Sequence, residues 1–140
     1  MKRTKGLLAA VALTAGLAGL VGCVETAGTV VTTDHTTGST EVLEDSTRLK
    51  DQIHVLRVNY DEVNGMKRVH VTIASAKHRR LRVDYRIVWF DANGMEIDPD
   101  TKTYRNLILE GRDSVTVTGV ANSPSAVTSK LRVRSTSAAD

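Results

Sequence analysis

The 140-residue chain has a single cysteine, two prolines and an aromatic content of only 4%. One thiol cannot close a disulfide within the chain, so the folded core must be held together by apolar burial. Excess positive charge is also absent once the first residues are set aside. The formal net charge of +3 equals that of Lys2, Arg3 and Lys5, and the rest of the chain is balanced. This balance argues against a nucleic-acid partner, which would require a basic surface.

Motifs for catalysis and metal binding are missing as well. The sequence contains no G-x-S-x-G, no glycine-rich phosphate loop and no H-E-x-x-H. The four histidines, His35, His54, His70 and His78, lack metal-ligand spacing and have no cysteines to support them. We therefore predict no catalytic residues, no metal site, no cofactor and no enzymatic activity.

An export signal is present at the N-terminus. Basic residues precede the uncharged stretch 6–21, which suits a signal peptide and falls short of the roughly 20 residues that a spanning helix needs. The stretch runs into Leu20-Val21-Gly22-Cys23, a pattern typical of the cleavage site of bacterial lipoproteins. We predict a signal peptide over 1–22, cleavage between Gly22 and Cys23, and acylation of Cys23 with palmitate. The alternative is a plain secretory leader with a chance cysteine, which would leave a lone thiol in an oxidising compartment.

The residue after the cysteine bears on localisation. By resemblance to enterobacterial lipoproteins, an aspartate there would favour retention in the inner membrane, and this chain has Val24 instead. We therefore expect a protein of the bacterial envelope that is lipid-anchored through Cys23 in the outer membrane and faces the periplasm. Several acyl chains anchor a protein far more firmly than one.

The rest of the chain divides into a tether, one domain and a short tail. Residues 23–46 are rich in Thr, Gly and Ser without sustained periodicity, which predicts a flexible tether, with a short strand at Thr29–Thr33 as the alternative. Residues 47–135 are the predicted domain, and 136–140 form a polar tail. The length after cleavage suits a single domain.

Alternation of apolar and polar residues predicts short strands throughout this domain. The clearest example is 81–91, in which one face carries Leu81, Val83, Tyr85, Ile87 and Trp89. Asn64-Gly65 and Asn93-Gly94 predict type I′ hairpin turns, and a further turn is expected at 110–113. About seven strands and no helical stripe predict an all-β fold, an antiparallel β-sandwich like those of immunoglobulin and fibronectin domains, with Trp89 and Tyr85 central to its core.

Two polar clusters are candidates for binding. The densest basic cluster consists of Lys77, Arg79, Arg80, Arg82 and Arg86. It could face lipid phosphates, an acidic polymer or a carboxylate-rich partner, or it could be a solvated loop and strand face in which Asp84 offsets its neighbours. The acidic cluster consists of Asp91, Asn93, Glu96, Asp98 and Asp100. Its spacing does not fit an EF-hand, which favours a polar turn over a calcium site.

The central strand and its turn resemble a known family. The run Val83–Glu96, VDYRIVWFDANGME, is similar to the centre of the YcfL-like predicted periplasmic lipoproteins, which carry a comparable Tyr-Arg, Trp-aromatic-Asp and Gly arrangement after a lipobox. The stretches Ser114–Asn122 and Lys130–Val133 resemble the closing strands of that family. The resemblance covers 69–134 and implies a small β-rich envelope lipoprotein with no established activity and no catalytic residues to transfer.

Two main hypotheses for function follow. The first is a non-enzymatic envelope lipoprotein whose β-sandwich binds another envelope protein. The second is a binding module for anionic envelope glycan or lipid that uses the basic surface Lys77–Arg86. A third, an enzyme, would require a pocket with convergent titratable groups.

Overall fold

The chain folds into antiparallel strands in a computed structural model that describes residues 28–44, 49, 51–99 and 103–136. The described residues form nine strands: β1 Thr29–Asp34, β2 Ser39–Glu44, β3 Ile53–Val63, β4 Met66–Ser75, β5 Leu81–Phe90, β6 Glu96–Ile97, β7 Arg105–Leu109, β8 Ser114–Val120 and β9 Thr128–Ser135. In this part of the chain no helix is long and apolar enough to cross a membrane.

The strands form two sheets. The larger sheet has the order β2-β1-β9-β5-β6, with β7 also paired to β5, and the smaller sheet has the order β3-β4-β8. β5 is the central strand, because it pairs with β9 along one edge while β7 and β6 share its other edge. The prediction of an all-β antiparallel sandwich is confirmed.

The core lies between the two sheets and follows the period of two in the sequence. On β4, the side chains of Val69, Val71 and Ile73 are at most 1% exposed, and Arg68, His70 and Thr72 alternate with them. The larger sheet contributes residues of the same kind to this core: Val31, Leu81, Val83, Trp89, Leu109, Leu131 and Val133. Burial of one face of each sheet is what holds this disulfide-free fold together.

A β-bulge in β3 changes which residues reach the core. The pairing with β4 shifts between Val55 and Arg57, so Leu56 is an extra residue whose side chain is 62% exposed. In a regular strand Val55 and Val58 would point to opposite faces of the sheet. The bulge resets the alternation, and both side chains pack against the core.

The predicted tether over 23–46 is wrong for residues 29–44. β1 lies between β2 and β9, and the side chains of Thr29, Val31 and Thr33 are at most 1% exposed. Threonine is β-branched and packs well in strands, so a Thr-rich segment can be a buried strand as readily as a linker. The alternative of a strand at Thr29–Thr33 is confirmed. With β2 and the two-residue β6, the count rises from about seven to nine. The predicted signal peptide, Cys23 and the residues 137–140 of the tail lie outside the described residues.

The predicted turns differ in type. Asn64 and Gly65 have φ values of 50° and 76°, which confirms the type I′ turn between β3 and β4. In the second turn only Gly94 has a positive φ, 76°, and its N–H donates to the carbonyl of Asp91 at 3.0 Å. This hairpin is therefore present between β5 and β6 but is not type I′. The turn at 110–113 crosses from β7 in one sheet to β8 in the other.

One histidine links the sheets at an end of the core. The ring of His35 lies 5.3 Å from that of Tyr60 and 5.2 Å from that of Trp89, and its Nε2 is 3.0 Å from Ser129 Oγ. Burial lowers the pKa of His35 below its usual value, and the positive charge of Lys67 lowers it further. The fold therefore favours the neutral form of this imidazole.

This histidine makes stability pH-dependent. Because the folded state has the lower pKa, the unfolded chain binds the proton more readily, and stability that is present above the unfolded pKa of about 6.5 is lost as pH falls. We expect the free energy of unfolding to decrease between pH 7.5 and 5.5 in urea titrations. The decrease should be smaller in His35→Gln and unchanged in the exposed control His54→Gln. An identical pH dependence in His35→Gln and the wild type would contradict this account.

Candidate functional site

The structure divides the predicted basic cluster into two groups. Lys77, Arg79 and Arg80 lie in the loop before β5, where Arg80 forms a 2.9 Å ion pair with Glu110. Arg82 and Arg86 lie on the outer face of β5, with Asp84 between them. A shared role of these five residues in binding stays a prediction.

Three further cations, on β9, lie beside the outer face of β5 and are not among the residues of the predicted basic cluster. Arg132 lies directly opposite Arg86, and Arg134 lies opposite Asp84, with 3.6 Å between the Nε and carboxylate oxygen of the latter pair. The third is Lys130, whose Nζ lies 5.0 Å from the centroid of the Phe90 ring. The alternation of basic and apolar residues in β9 was the available signal, but only a known strand pairing places it beside β5.

The outer face also carries an aromatic ring between two arginines. The Cζ atoms of Arg134 and Arg86 lie 3.6 Å and 4.8 Å from the centroid of the Tyr104 ring. Guanidinium groups at these distances are attracted to the ring. Both guanidinium groups are therefore held against the Tyr104 ring.

In the acidic cluster, Asp91 stabilises the turn after β5 and Asp98 contacts a neighbouring loop. One carboxylate oxygen of Asp91 accepts hydrogen bonds from the backbone N–H groups of Asn93 and Met95, each at 2.9 Å. Asp98 accepts a hydrogen bond from the side-chain amide of Asn122. Asp100 lies outside the described residues. Among the residues that the structure describes, no group of three or more His, Cys, Asp or Glu side chains is placed to hold a metal ion.

A groove of about 330 Å³ opens between the two sheets. Tyr85, Ile87 and Trp89 from β5 line one side, and Thr118–Val120 of β8 line the other. At Gly119 a Cβ atom would lie 2.7 Å from Cδ1 of Ile87, so only glycine lets β8 approach β5 this closely without displacing that side chain. The groove is thus narrow at Gly119, and its exposed lining is mostly polar.

Two features at the rim of the groove could contact a ligand: the guanidinium of Arg105 and the outer backbone edge of β8. Arg105, opposite Tyr85 in the pairing of β7 with β5, forms no hydrogen bond or ion pair with the described residues. β8 pairs only with β4 within the described sheets, so the backbone N–H and C=O groups of its other edge are available. Val120 at the end of β8 is 48% exposed. An edge strand, a polar groove and a guanidinium that forms no ion pair with the described residues suit an extended peptide that carries a carboxylate.

Comparison with known proteins identifies the family. Residues 40–135 match a family described as "Protein of unknown function (DUF1425)". No protein with curated annotation matches the chain. A crystal structure of a DUF1425 family member from Shewanella sp. pv-4 is similar, with a TM-score of 0.57 and 23% identity over 81% of this chain and 94% of that one.

A second similar structure is that of Cj0090 from Campylobacter jejuni. Its TM-score is 0.51, with 19% identity over 58% of this chain and 84% of that one. Similarities at this level of identity concern the fold. Because the family match covers more than half of the sequence, the chain belongs to the DUF1425 family.

Proposed function

We propose that this chain is a YcfL-like, non-enzymatic lipoprotein of the bacterial envelope, anchored in the outer membrane by lipid on Cys23. Its β-sandwich binds an extended segment of another envelope protein in the groove between β5 and β8. The observation that carries the proposal is the groove beside the edge strand β8, together with Arg105, which forms no ion pair with the described residues.

The mode of binding follows from the groups that the groove offers. A segment added to β8 would form main-chain hydrogen bonds with the free edge, and its alternate side chains would face Tyr85 and Ile87. Arg105 would bind a carboxylate of the segment through two parallel N–H donors. Tyr85, Arg86 and Arg105 are the ionisable residues that line the groove, and this set suits recognition better than acid–base chemistry.

The support for the anchor is in the sequence. The uncharged stretch 6–21 and the Leu20-Val21-Gly22-Cys23 pattern fit export and acylation, and the resemblance of Val83–Glu96 to YcfL-like lipoproteins fits the same compartment. An anchored protein meets its partners at the membrane surface. Restriction to that surface raises the effective concentration of a partner that is itself envelope-bound.

Site-specific photo-crosslinking in living cells tests the binding proposal. A photoreactive residue at Val120, beside the groove, should give an adduct with one envelope protein, and the same residue at Val42 on β2 should not. Arg105→Ala should reduce the Val120 adduct roughly tenfold or more, since a charged hydrogen bond contributes about 1.5–3 kcal/mol. Arg57→Ala on β3 is the matched control and should leave the yield unchanged.

The adduct itself must have the expected chemistry. Its crosslinked peptide should map to an extended segment with an acidic residue or a chain terminus beside Arg105. An adduct whose yield is the same in Arg105→Ala, or no adduct at Val120 in any growth condition, would rule out the groove as the binding site.

A further inference from the structure

We infer that one end of the sandwich, which we name the basic end, rests on anionic phospholipid head groups of the membrane that holds the anchor. The basic end comprises the loops 76–80 and 110–113, the start of β5 and the end of β9. Its cations are Lys77, Arg79, Arg80, Arg82, Arg112 and Arg134. The inference rests on the proposed lipid on Cys23.

The chain enters the sandwich at this end. Thr29, the first residue of β1, pairs with Val133 near the end of β9, and a Cβ on Gly28 would lie 3.2 Å from the Cα of Arg134. The same end of β9 pairs with the start of β5 through Ser135 and Val83. The backbone before β1 therefore begins beside the basic end.

The distance to the anchor is short. Cys23 and Gly28 are five residues apart in sequence. Five residues span at most about 18 Å when fully extended. An acylated Cys23 would thus hold the end of β9 within about 18 Å of the lipid, much closer than the tether expected from the sequence would require. The basic end is the part of the sandwich that this constraint brings to the bilayer.

The loops at the basic end are held together as one surface. The backbone N–H of Arg112 donates to the carbonyl of Lys77 at 2.8 Å, and the Arg112 guanidinium lies 2.7 Å from a ring nitrogen of His78. Arg80 is paired with Glu110. The cations of these two loops therefore move together and can contact a flat surface at the same time.

Formal charge differs between the two ends of the sandwich. Among the described residues, the basic end combines its six cations with five carboxylates, those of Glu44, Asp51, Asp84, Glu110 and Asp113. Within the same described part of the chain, the opposite end, around the β3–β4 turn, β6 and the start of β9, has the three cations Lys67, Arg68 and Lys130. Its six carboxylates are those of Asp34, Asp61, Glu62, Asp91, Glu96 and Asp98. An anionic surface would attract the first end and repel the second.

Three cations of the basic end are available to lipid phosphates. Lys77, Arg79 and Arg82 form no ion pair with the described residues. Each Lys or Arg close to an anionic surface strengthens binding roughly fivefold. The groove lies toward the opposite end, because Val120 pairs with Arg68 next to the β3–β4 turn. Membrane contact at the basic end leaves the groove open to a partner.

Vesicle sedimentation tests this orientation without requiring lipidation. The chain from residue 23 onward, carrying Cys23→Ser, is mixed at low ionic strength with phosphatidylglycerol or phosphatidylcholine vesicles. We expect roughly hundredfold stronger partitioning onto phosphatidylglycerol, from three cations at about fivefold each, and loss of this preference in high salt. Arg79→Glu with Arg82→Glu should weaken binding to phosphatidylglycerol at least tenfold.

The matched control is Arg57→Glu with Lys130→Glu, which changes net charge by the same amount away from the basic end and should weaken binding less than threefold. Equal loss in both double variants would overturn the inference, because it would show attraction to net charge alone. Competition by millimolar glycerol phosphate would also overturn it, by indicating a site for a soluble anion.

The two proposals fail separately. Loss confined to the basic-end variant, with Cys23 found unacylated in cells, would support lipid contact by this end and overturn the proposed anchor. Acylated Cys23 combined with equal binding by both double variants overturns the inference and leaves the proposed function intact.

Discussion

Trp89→Ala is expected to lower the free energy of unfolding by about 3–5 kcal/mol. The side chain of Trp89 is 3% exposed in the central strand β5, and its ring contacts that of His35, 5.2 Å away. Alanine would remove the largest side chain of the core and leave a cavity between the sheets. Urea titration at pH 7.5 measures the change.

Met95→Ala provides the control for Trp89→Ala. Met95 lies in the turn after β5, and its side chain is 66% exposed. Its replacement should change the free energy of unfolding by no more than about 0.5 kcal/mol. A Trp89→Ala change below about 1 kcal/mol would mean that the sandwich does not depend on this residue, contrary to the core described above.

Cys23→Ser is expected to transfer the protein from the membrane fraction to the soluble fraction of the envelope. Each buried methylene of an acyl chain contributes about 0.8 kcal/mol, so several chains make dissociation negligible and their loss makes it complete. Contacts between the basic end and lipid are far weaker and are screened by salt. Fractionation in high salt therefore isolates the contribution of the anchor.

Val24→Ala is the matched control for the anchor, since it alters the adjacent residue and keeps the cysteine. It should stay in the membrane fraction under the same conditions. Retention of the Cys23→Ser variant there in high salt would show that some other feature of the chain provides attachment.

The strands of the domain could be predicted because their burial is one-sided. Val69, Val71 and Ile73 alternate with polar residues, and so do Leu81, Val83 and Tyr85 of β5, which gives a period that helices do not share. For β1 a tether was predicted instead of a strand, because its buried positions include the polar residues Thr29 and Thr33. The β3 bulge was unpredictable for a related reason, because it depends on pairing with β4.

The candidate site could not be predicted from the sequence, because its residues come from segments that are distant in the chain. Ile87 and Gly119 meet across the two sheets, and Arg105 reaches the groove through the pairing of β7 with β5. Nothing near Arg105 in the sequence distinguishes it from a solvated strand residue. The basic cluster also depends on strand pairing. Arg86 lies opposite Arg132 in the pairing of β5 with β9, whereas Arg79 lies in the loop before β5.

The family resemblance predicted a β-rich fold but no binding or catalytic residues. The match to DUF1425 covers 40–135, and the family is described as having no known function. The groove and the basic end are therefore argued from the charges, exposure and strand pairing of this chain.

The mass of the N-terminal tryptic peptide tests most directly whether the protein is an anchored lipoprotein. With cleavage before Cys23, the first tryptic site of the mature chain follows Arg48. Protein purified from cell membranes should yield the peptide Cys23–Arg48 with its mass raised by a diacylglyceryl group and an amide-linked acyl chain. An unmodified peptide that runs from Gly6 to Arg48, or one that begins at an unacylated Cys23, would contradict the account.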